Sequence, residues 1–387
     1  MNQRLHALRE QGLYRELRRV DSAQGPQIKI GGKTFLNFSS NDYLGLANHP
    51  KLKEAVIKAV EKFGAGSGAS RLICGSLAPH HELEDALAEF KNTQAALTFS
   101  SGYATAIGII CALIGKNDIL IIDKLVHASI VDAARLSGAI LRVFSHNDLN
   151  NLEDILKWAC KESRHPSLVT RHILIVTESI FSMDGDAAPL REIVALKEKY
   201  GAWLMVDEAH ATGLYGKNRR GLAEEFNASN QIEIQMGTLG KAFGASGGYI
   251  CGSRPLIDFL VNRGRSFIFS TGPVPAAAAA ATAGIKLVQS GEGKKRSDSL
   301  WQIVKQFNSK FKIQNSKFPS AIIPFVVGDE VKAVEFATKL REQNIFIPAI
   351  RYPTVARGAA RLRITLTAAH TMEDISELLS VLKVLDK

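Results

Sequence analysis

Between residues 95 and 290 short apolar runs alternate with segments whose apolar positions recur every three or four residues. The apolar runs predict strands at Ala95–Phe99, Ile119–Ile122, Leu141–Phe144, His172–Thr177, Trp203–Val206, Glu233–Met236, Gly248–Cys251 and Ser266–Phe269. Helical periodicity marks Leu52–Phe63, Leu149–Lys161, Leu190–Tyr200 and the alanine-rich Pro275–Val288. Apolar strands alternating with amphipathic helices predict an α/β fold, its largely parallel sheet covered on both faces. The polar, glycine-containing stretch Ser290–Ser299 reads as a domain boundary. Beyond it the pattern predicts a helix, a strand at Ile322–Val327, a helix from Val331, strands at Ile345–Ile350 and Leu362–Leu366, and a final helix. The expected organisation is an N-terminal helix and extended segment (1–45), a large domain (46–290) and a smaller α+β domain (291–387).

At 387 residues, two domains are the expectation, and 46% hydrophobic with 22% charged residues fits an ordinary globular protein. No apolar run reaches the ~18 residues of a membrane span. The first twenty residues are basic and helix-like but carry Glu10 and Glu16, so an amphipathic docking helix is expected there and a signal peptide is not. The four scattered cysteines form no C-x-x-C pair, which points to free thiols in the cytoplasm and to no metal site. A net charge of +10 favours phosphate-bearing ligands, yet the basic residues are dispersed and nothing further suggests nucleic acid.

Three segments imitate nucleotide sites. Gly64–Ala69 (GAGSGA) matches a dinucleotide pattern but follows a predicted helix where a strand is needed. Gly237–Lys241 (GTLGK) is one residue short of a phosphate loop, and Ala242 stands where the magnesium-binding hydroxyl belongs. Val206–His210 (VDEAH) spells a helicase box with no valid nucleotide loop upstream. Pyridoxal phosphate fits these residues better, because it needs a lysine amine for its aldehyde, a carboxylate for its ring nitrogen and a phosphate cradle. Lys241, flanked by glycines, supplies the amine, and Asp207 at a strand's carboxyl end supplies the carboxylate. Ser101, Gly102 and Tyr103 turn from a strand into a helix, where free N–H groups receive phosphate.

Taken together, Asn37–Leu46 (NFSSNDYLGL), Phe99–Tyr103 (FSSGY), His127–Ser129 (HAS), Thr177–Gly185 (TESIFSMDG), Val206–Gly213 (VDEAHATG) and Thr238–Gly244 (TLGKAFG) resemble the α-oxoamine synthases over nearly the whole chain. That resemblance implies a fold-type I pyridoxal-phosphate transferase, with a mostly parallel sheet of seven-stranded type between helices. It implies that His127 stacks on the cofactor ring, that Asp207 pairs with its nitrogen and that His210 meets its hydroxyl. Ser182 and Thr238 would line the same site. Ser270 and Thr271 would reach the phosphate of a neighbouring subunit, making the active unit a homodimer with shared sites.

Within that family, Ala349–Thr354 (AIRYPT) and Ala360–His370 (ARLRITLTAAH) most resemble the members that join L-alanine to a pimeloyl thioester, on coenzyme A or acyl carrier protein, with loss of carbon dioxide. Ala356, Arg357 and Tyr352 depart from their usual pattern. Arg363 and Asn41 are the candidates for the amino-acid carboxylate, since arginine offers a bidentate fork. Arg18, Arg351 and Thr354 are the candidates for the acyl substrate, and His127 would also face substrate. The member that joins glycine to acetyl-coenzyme A or another α-oxoamine synthase, an aminotransferase sharing Lys241 and Asp207, and a non-catalytic nucleotide binder are the alternatives.

Overall fold

Runs such as Ile119–Asp123 and Ile173–Glu178 bury every residue, as strands covered on both faces do. The computed structural model describes residues 1–163, 172–311 and 318–385. Its contacts divide the chain into two units: Met1–Asn48, Ser182–Asp186 and Gly291–Lys387 in the first, His49–Phe181 and Ala187–Ser290 in the second.

The first unit opens with α1 (Asn2–Glu10), β1 (Gln27–Ile30) and β2 (Lys33–Asn37). The second then runs α2 (Pro50–Phe63), α3 (Ala78–Lys91), β3 (Ala95–Phe99), α4 (Gly102–Leu113), β4 (Ile119–Asp123), α5 (Ala128–Ser137), β5 (Ile140–Phe144) and α6 (Leu149–Ser163). It continues with β6 (Ile173–Glu178), α7 (Leu190–Tyr200), β7 (Trp203–Asp207), α8 (Leu222–Glu225), β8 (Ile234–Thr238), β9 (Gly248–Gly252), α9 (Arg254–Arg263), α10 (Arg265–Ile268) and α11 (Pro275–Gln289). The chain closes in the first unit with α12 (Gly291–Lys310), β10 (Ile322–Gly328), α13 (Glu330–Glu342), β11 (Ile345–Phe346), β12 (Ala349–Ile350), β13 (Ala360–Thr365) and α14 (Met372–Leu385).

In the second unit seven strands form one sheet in the order β3-β9-β8-β7-β6-β4-β5. Only β9 runs against its neighbours, so β3, β4, β6, β7 and β8 all end at the same edge. One apolar cluster joins Leu97, Leu120, Val176, Met205 and Ile250 from the strands to Ile109 of α4, Ile130 of α5 and Leu260 of α9. In the first unit β1-β2-β11 and β10-β13-β12 form two three-stranded sheets.

Three expectations need correction. Ser266–Phe269 is not a strand: α10 occupies it, burying Phe267 and leaving Phe269 71% exposed, so the aromatic run does not have two packed faces. The two units do divide at the start of the expected boundary Ser290–Ser299, between Ser290 and Gly291, where α12 begins at once and Glu292–Arg296 and Lys294–Asp298 pair across one turn. The strand expected over Ile345–Ile350 breaks around Pro348, which has no N–H to give a ladder. Its first half pairs with β2 and its second with β13. Finally, the N-terminal helix buries none of its residues and stops at Glu10, so Arg18 lies beyond it in non-helical chain.

Candidate active site

The common strand edge of the second unit gathers the chemistry, as the carboxyl ends of open parallel sheets do. Asp207 is the last residue of β7, pairs in register with Glu178 of β6, and is 6% exposed. Thr238 ends β8, and Lys241 follows three residues on. His127 caps α5 just after β4, and Ser101 caps α4 just after β3. A cavity of about 200 Å³ is lined by Gly102, Tyr103, His127, Ser129, Glu178, Asp207, Ala209, His210, Met236, Gly237, Thr238 and Lys241. Seven of the expected cofactor residues therefore meet at one place.

Lys241 Nζ lies 2.7 Å from His210 Nε2, and because an ammonium only donates, the imidazole nitrogen accepts. Asp207 Oδ1 accepts the Ala209 N–H at 2.9 Å. Burial raises the Asp207 pKa above the ordinary carboxylate value, while the charge of Lys241 and the Ala209 bond pull it back. His127 Nδ1 accepts the Ser129 N–H at 3.2 Å, so its neutral ring carries the proton on Nε2. Burial lowers its pKa and keeps it neutral; Asp207 opposes that effect and Lys241 adds to it.

Glycines admit the close approaches. A Cβ on Gly248 would fall 2.3 Å from Thr105 Oγ1 and 2.8 Å from the Gly102 nitrogen, so only glycine lets β9 pass the first turn of α4. Ser101 Oγ accepts the Ala104 N–H, leaving the N–H groups of Gly102 and Tyr103 at the positive end of that helix. Thr238 Oγ1 donates to the Gly247 carbonyl at 2.9 Å and accepts the Gly240 N–H at 3.3 Å, which shapes the loop leading to Lys241.

The residues fit pyridoxal phosphate. The cavity offers one amine (Lys241), two buried carboxylates (Asp207 and its cross-strand neighbour Glu178), the imidazoles of His127 and His210, and a helix start without an acidic side chain in its first turn. Among the described residues no group of three or more His, Cys, Asp or Glu is placed to hold a metal ion, and no helix is long and apolar enough to cross a membrane.

Other expected residues lie elsewhere. Ser270 and Thr271 are in the second unit but do not line this cavity; Thr271 bridges Ser70, and Gly272 N–H donates to the Ala69 carbonyl at 2.9 Å. Ser182, Asn41 and Arg363 are in the first unit. There Arg363 Nε donates to the Ser182 carbonyl at 2.6 Å, Nη1 to Thr365 Oγ1 at 2.8 Å and Nη2 to Tyr43 Oη at 3.5 Å, with Tyr43 Oη donating to Asn41 Oδ1 at 3.4 Å. Arg18 and Arg351 share a second cavity, about 420 Å³, with Arg15 and Arg341. Thr354 is exposed nearby in sequence and does not line it. Sequence reasoning gave no role to Ser129 or Glu178, although both stand inside the quoted motifs.

The class that this sheet and site define is the fold-type I pyridoxal-phosphate transferase. The chain belongs to the aminotransferase class I and II family, whose model matches residues 33–382, and to its α-oxoamine synthase branch. It is 45% identical to 8-amino-7-oxononanoate synthase of Thermoanaerobacter pseudethanolicus, covering 100% of this chain and 96% of that one. It is 48% identical to the enzyme of the same name from Geobacter sulfurreducens, covering 96% and 94%. Among solved structures it matches a serine palmitoyltransferase from S. paucimobilis, solved with PLP and myriocin bound, at 29% identity and a TM-score of 0.91, covering 99% and 96%. It also matches 8-amino-7-oxononanoate synthase of Francisella tularensis at 29% identity and a TM-score of 0.75, covering 91% and 96%.

Proposed function

We propose that this chain binds pyridoxal phosphate at Lys241 and condenses L-alanine with a pimeloyl thioester, releasing the thiol and carbon dioxide to give 8-amino-7-oxononanoate for biotin synthesis. The observation that carries this reading is the meeting of Lys241, His210, Asp207 and His127 around one cavity. When bound, the cofactor supplies an electron sink for negative charge at the carbon bearing the amino group. Asp207 holds the ring-nitrogen proton, His210 positions the Lys241 amine, and that amine moves the substrate α-proton. His127 presents a flat neutral ring, and the α4 start holds phosphate. Arg363 and Asn41 take the alanine carboxylate. A cytoplasmic homodimer is the working form, with coenzyme A or acyl carrier protein as the acyl carrier.

The acyl reading draws on the arginine cavity. Four arginines and one carboxylate, Glu16, line about 420 Å³, so the cavity keeps a positive excess that an anion relieves. A pimeloyl chain ends in a carboxylate whose unpaired burial would be costly, and a guanidinium fork is its natural partner. Arg351 is partly buried, its pKa lowered by burial and then by Arg15, and it already donates to the carbonyls of Gly12 and Tyr14. The enzyme should prefer alanine with pimeloyl thioester over glycine with acetyl or succinyl thioester. Arg351→Met should cost about tenfold more in kcat/KM with pimeloyl thioester than with an uncharged thioester of equal length. Equal losses would mean that Arg351 only braces the N-terminal segment.

The shared site is tested by mixing. Lys241→Ala subunits and Thr271→Asp subunits should each be inactive, and one sound site per mixed dimer should return about a quarter of wild-type activity after random exchange. Confirmed mixed dimers without activity would show that each subunit works alone.

A further inference from the structure

The Val206–His210 box gives Asp207 and His210 to the cavity and leaves Glu208 unaccounted for. Glu208 is fully buried, and its partner is Lys91, the last residue of α3, itself 1% exposed. Lys91 Nζ donates to Glu208 Oε2 and, at 2.6 Å, to the Arg220 carbonyl. Glu208 Oε1 accepts the Ala223 N–H at 2.9 Å in α8. The Glu208 main chain donates to the Met236 carbonyl at 2.8 Å and accepts the N–H groups of Ala211 and Thr212. One residue thus ties the end of β7 to β8, α8 and α3. Gly221, at φ +127°, makes the room: a Cβ there would fall 2.4 Å from Glu208 Oε1.

Burying two charges is expensive, and an apolar pair of similar volume often serves stability as well or better. Fold stability alone therefore does not explain the pair. Its place beside Asp207 does. Two adjacent buried carboxylates compete for a proton, so an uncompensated Glu208 would drive Asp207 towards its neutral form. Lys241 faces Asp207 from the loop after β8 and His127 from the start of α5, while Glu178 lies opposite on β6. His210, on the turn that Asp207 opens, contacts Lys241, and Tyr249 on β9 also feels the Asp207 charge.

We propose that Lys91 is a positioning residue for the cofactor site: by compensating Glu208 it keeps Asp207 ionised, and it pins the turn that carries Asp207 and His210. This rests on the reading that Asp207 pairs with the ring nitrogen of pyridoxal phosphate.

Pyridoxal phosphate is the probe, titrated by absorbance into cofactor-free protein whose thermal unfolding is followed in parallel. Lys91→Met is expected to raise the dissociation constant roughly tenfold or more. Lys91→Met/Glu208→Gln, still without the lysine and its bond to Arg220, is expected to recover to within about threefold of wild type because no buried charge remains uncompensated. A double variant as weak as the single, or a single variant equal to wild type, overturns the proposal. Should Lys91→Met fail to fold, Glu208→Gln decides. With that charge gone, Asp207 holds a proton less tightly, so acidification should release pyridoxal phosphate at a lower pH than in wild type. Release at the same or a higher pH overturns the proposal. The underlying reading fails separately, if wild type binds no pyridoxal phosphate or if Asp207→Asn binds it as wild type does.

Discussion

Lys241→Ala is expected to abolish turnover and to leave no cofactor that borohydride can fix to the chain. The lysine stands three residues past the end of β8, reached through a loop shaped by Thr238 and Gly247. Its amine has two tasks in the proposed reaction: holding the cofactor covalently and moving a proton at the substrate α-carbon. A positioned proton-transfer group contributes about 10²–10⁴-fold, and loss of covalent capture adds to that, so residual activity should sit near the assay floor. The fold should survive, since the change deletes a polar chain end at a cavity, the His210 contact at 2.7 Å with it, and removes no apolar core atom. Mass spectrometry after borohydride treatment reads the first effect and steady-state rates the second. A mutant that still carries the reduced cofactor adduct would place the covalent lysine elsewhere.

Much of this architecture was legible because burial on both faces leaves a plain signal. Ala95–Phe99 and Leu190–Tyr200 match the observed elements residue for residue, since an apolar run and a 3.6-residue period each describe a single packing environment. Ser266–Phe269 misled because aromatic content mimics a strand when only one of its two rings is buried. Ile345–Ile350 misled because one apolar run serves two sheets. At the site, Asp207 and Lys241 could be read from their places at strand ends, where sheet geometry puts ligand groups. His127 and His210 could not, because an isolated histidine has no pattern, and the family motifs supplied them. The pairing of Lys91 with Glu208 joins residues 117 apart in sequence, and no local periodicity encodes such a contact.

Asp207→Asn separates the electrostatic role from the architectural one, because it should lower activity while leaving stability intact or improved. The asparagine keeps the size of the aspartate, and its oxygen can still accept the Ala209 N–H. What it loses is the charge that holds a proton on the ring nitrogen, and lost electrostatic stabilisation of this kind costs about 10²–10³-fold in kcat. Stability should move the other way. Burial raises the Asp207 pKa above its reference value of 3.8, so the folded chain binds this proton more tightly than the unfolded chain. Such a group stabilises the fold fully below its unfolded pKa, and the contribution is lost as pH rises through the folded value. At neutral pH the cofactor-free wild type therefore carries an ionised, poorly solvated carboxylate that the asparagine variant lacks. Thermal unfolding of the cofactor-free proteins should show the variant equal or higher at pH 7, with any advantage shrinking as the pH falls towards 4. Affinity for the cofactor should fall, yet at saturating pyridoxal phosphate capture by Lys241 should persist, so the borohydride adduct that Lys241→Ala loses should remain here. Near-normal condensation by this variant would count decisively against Asp207 as the partner of the ring nitrogen, whatever its effect on stability.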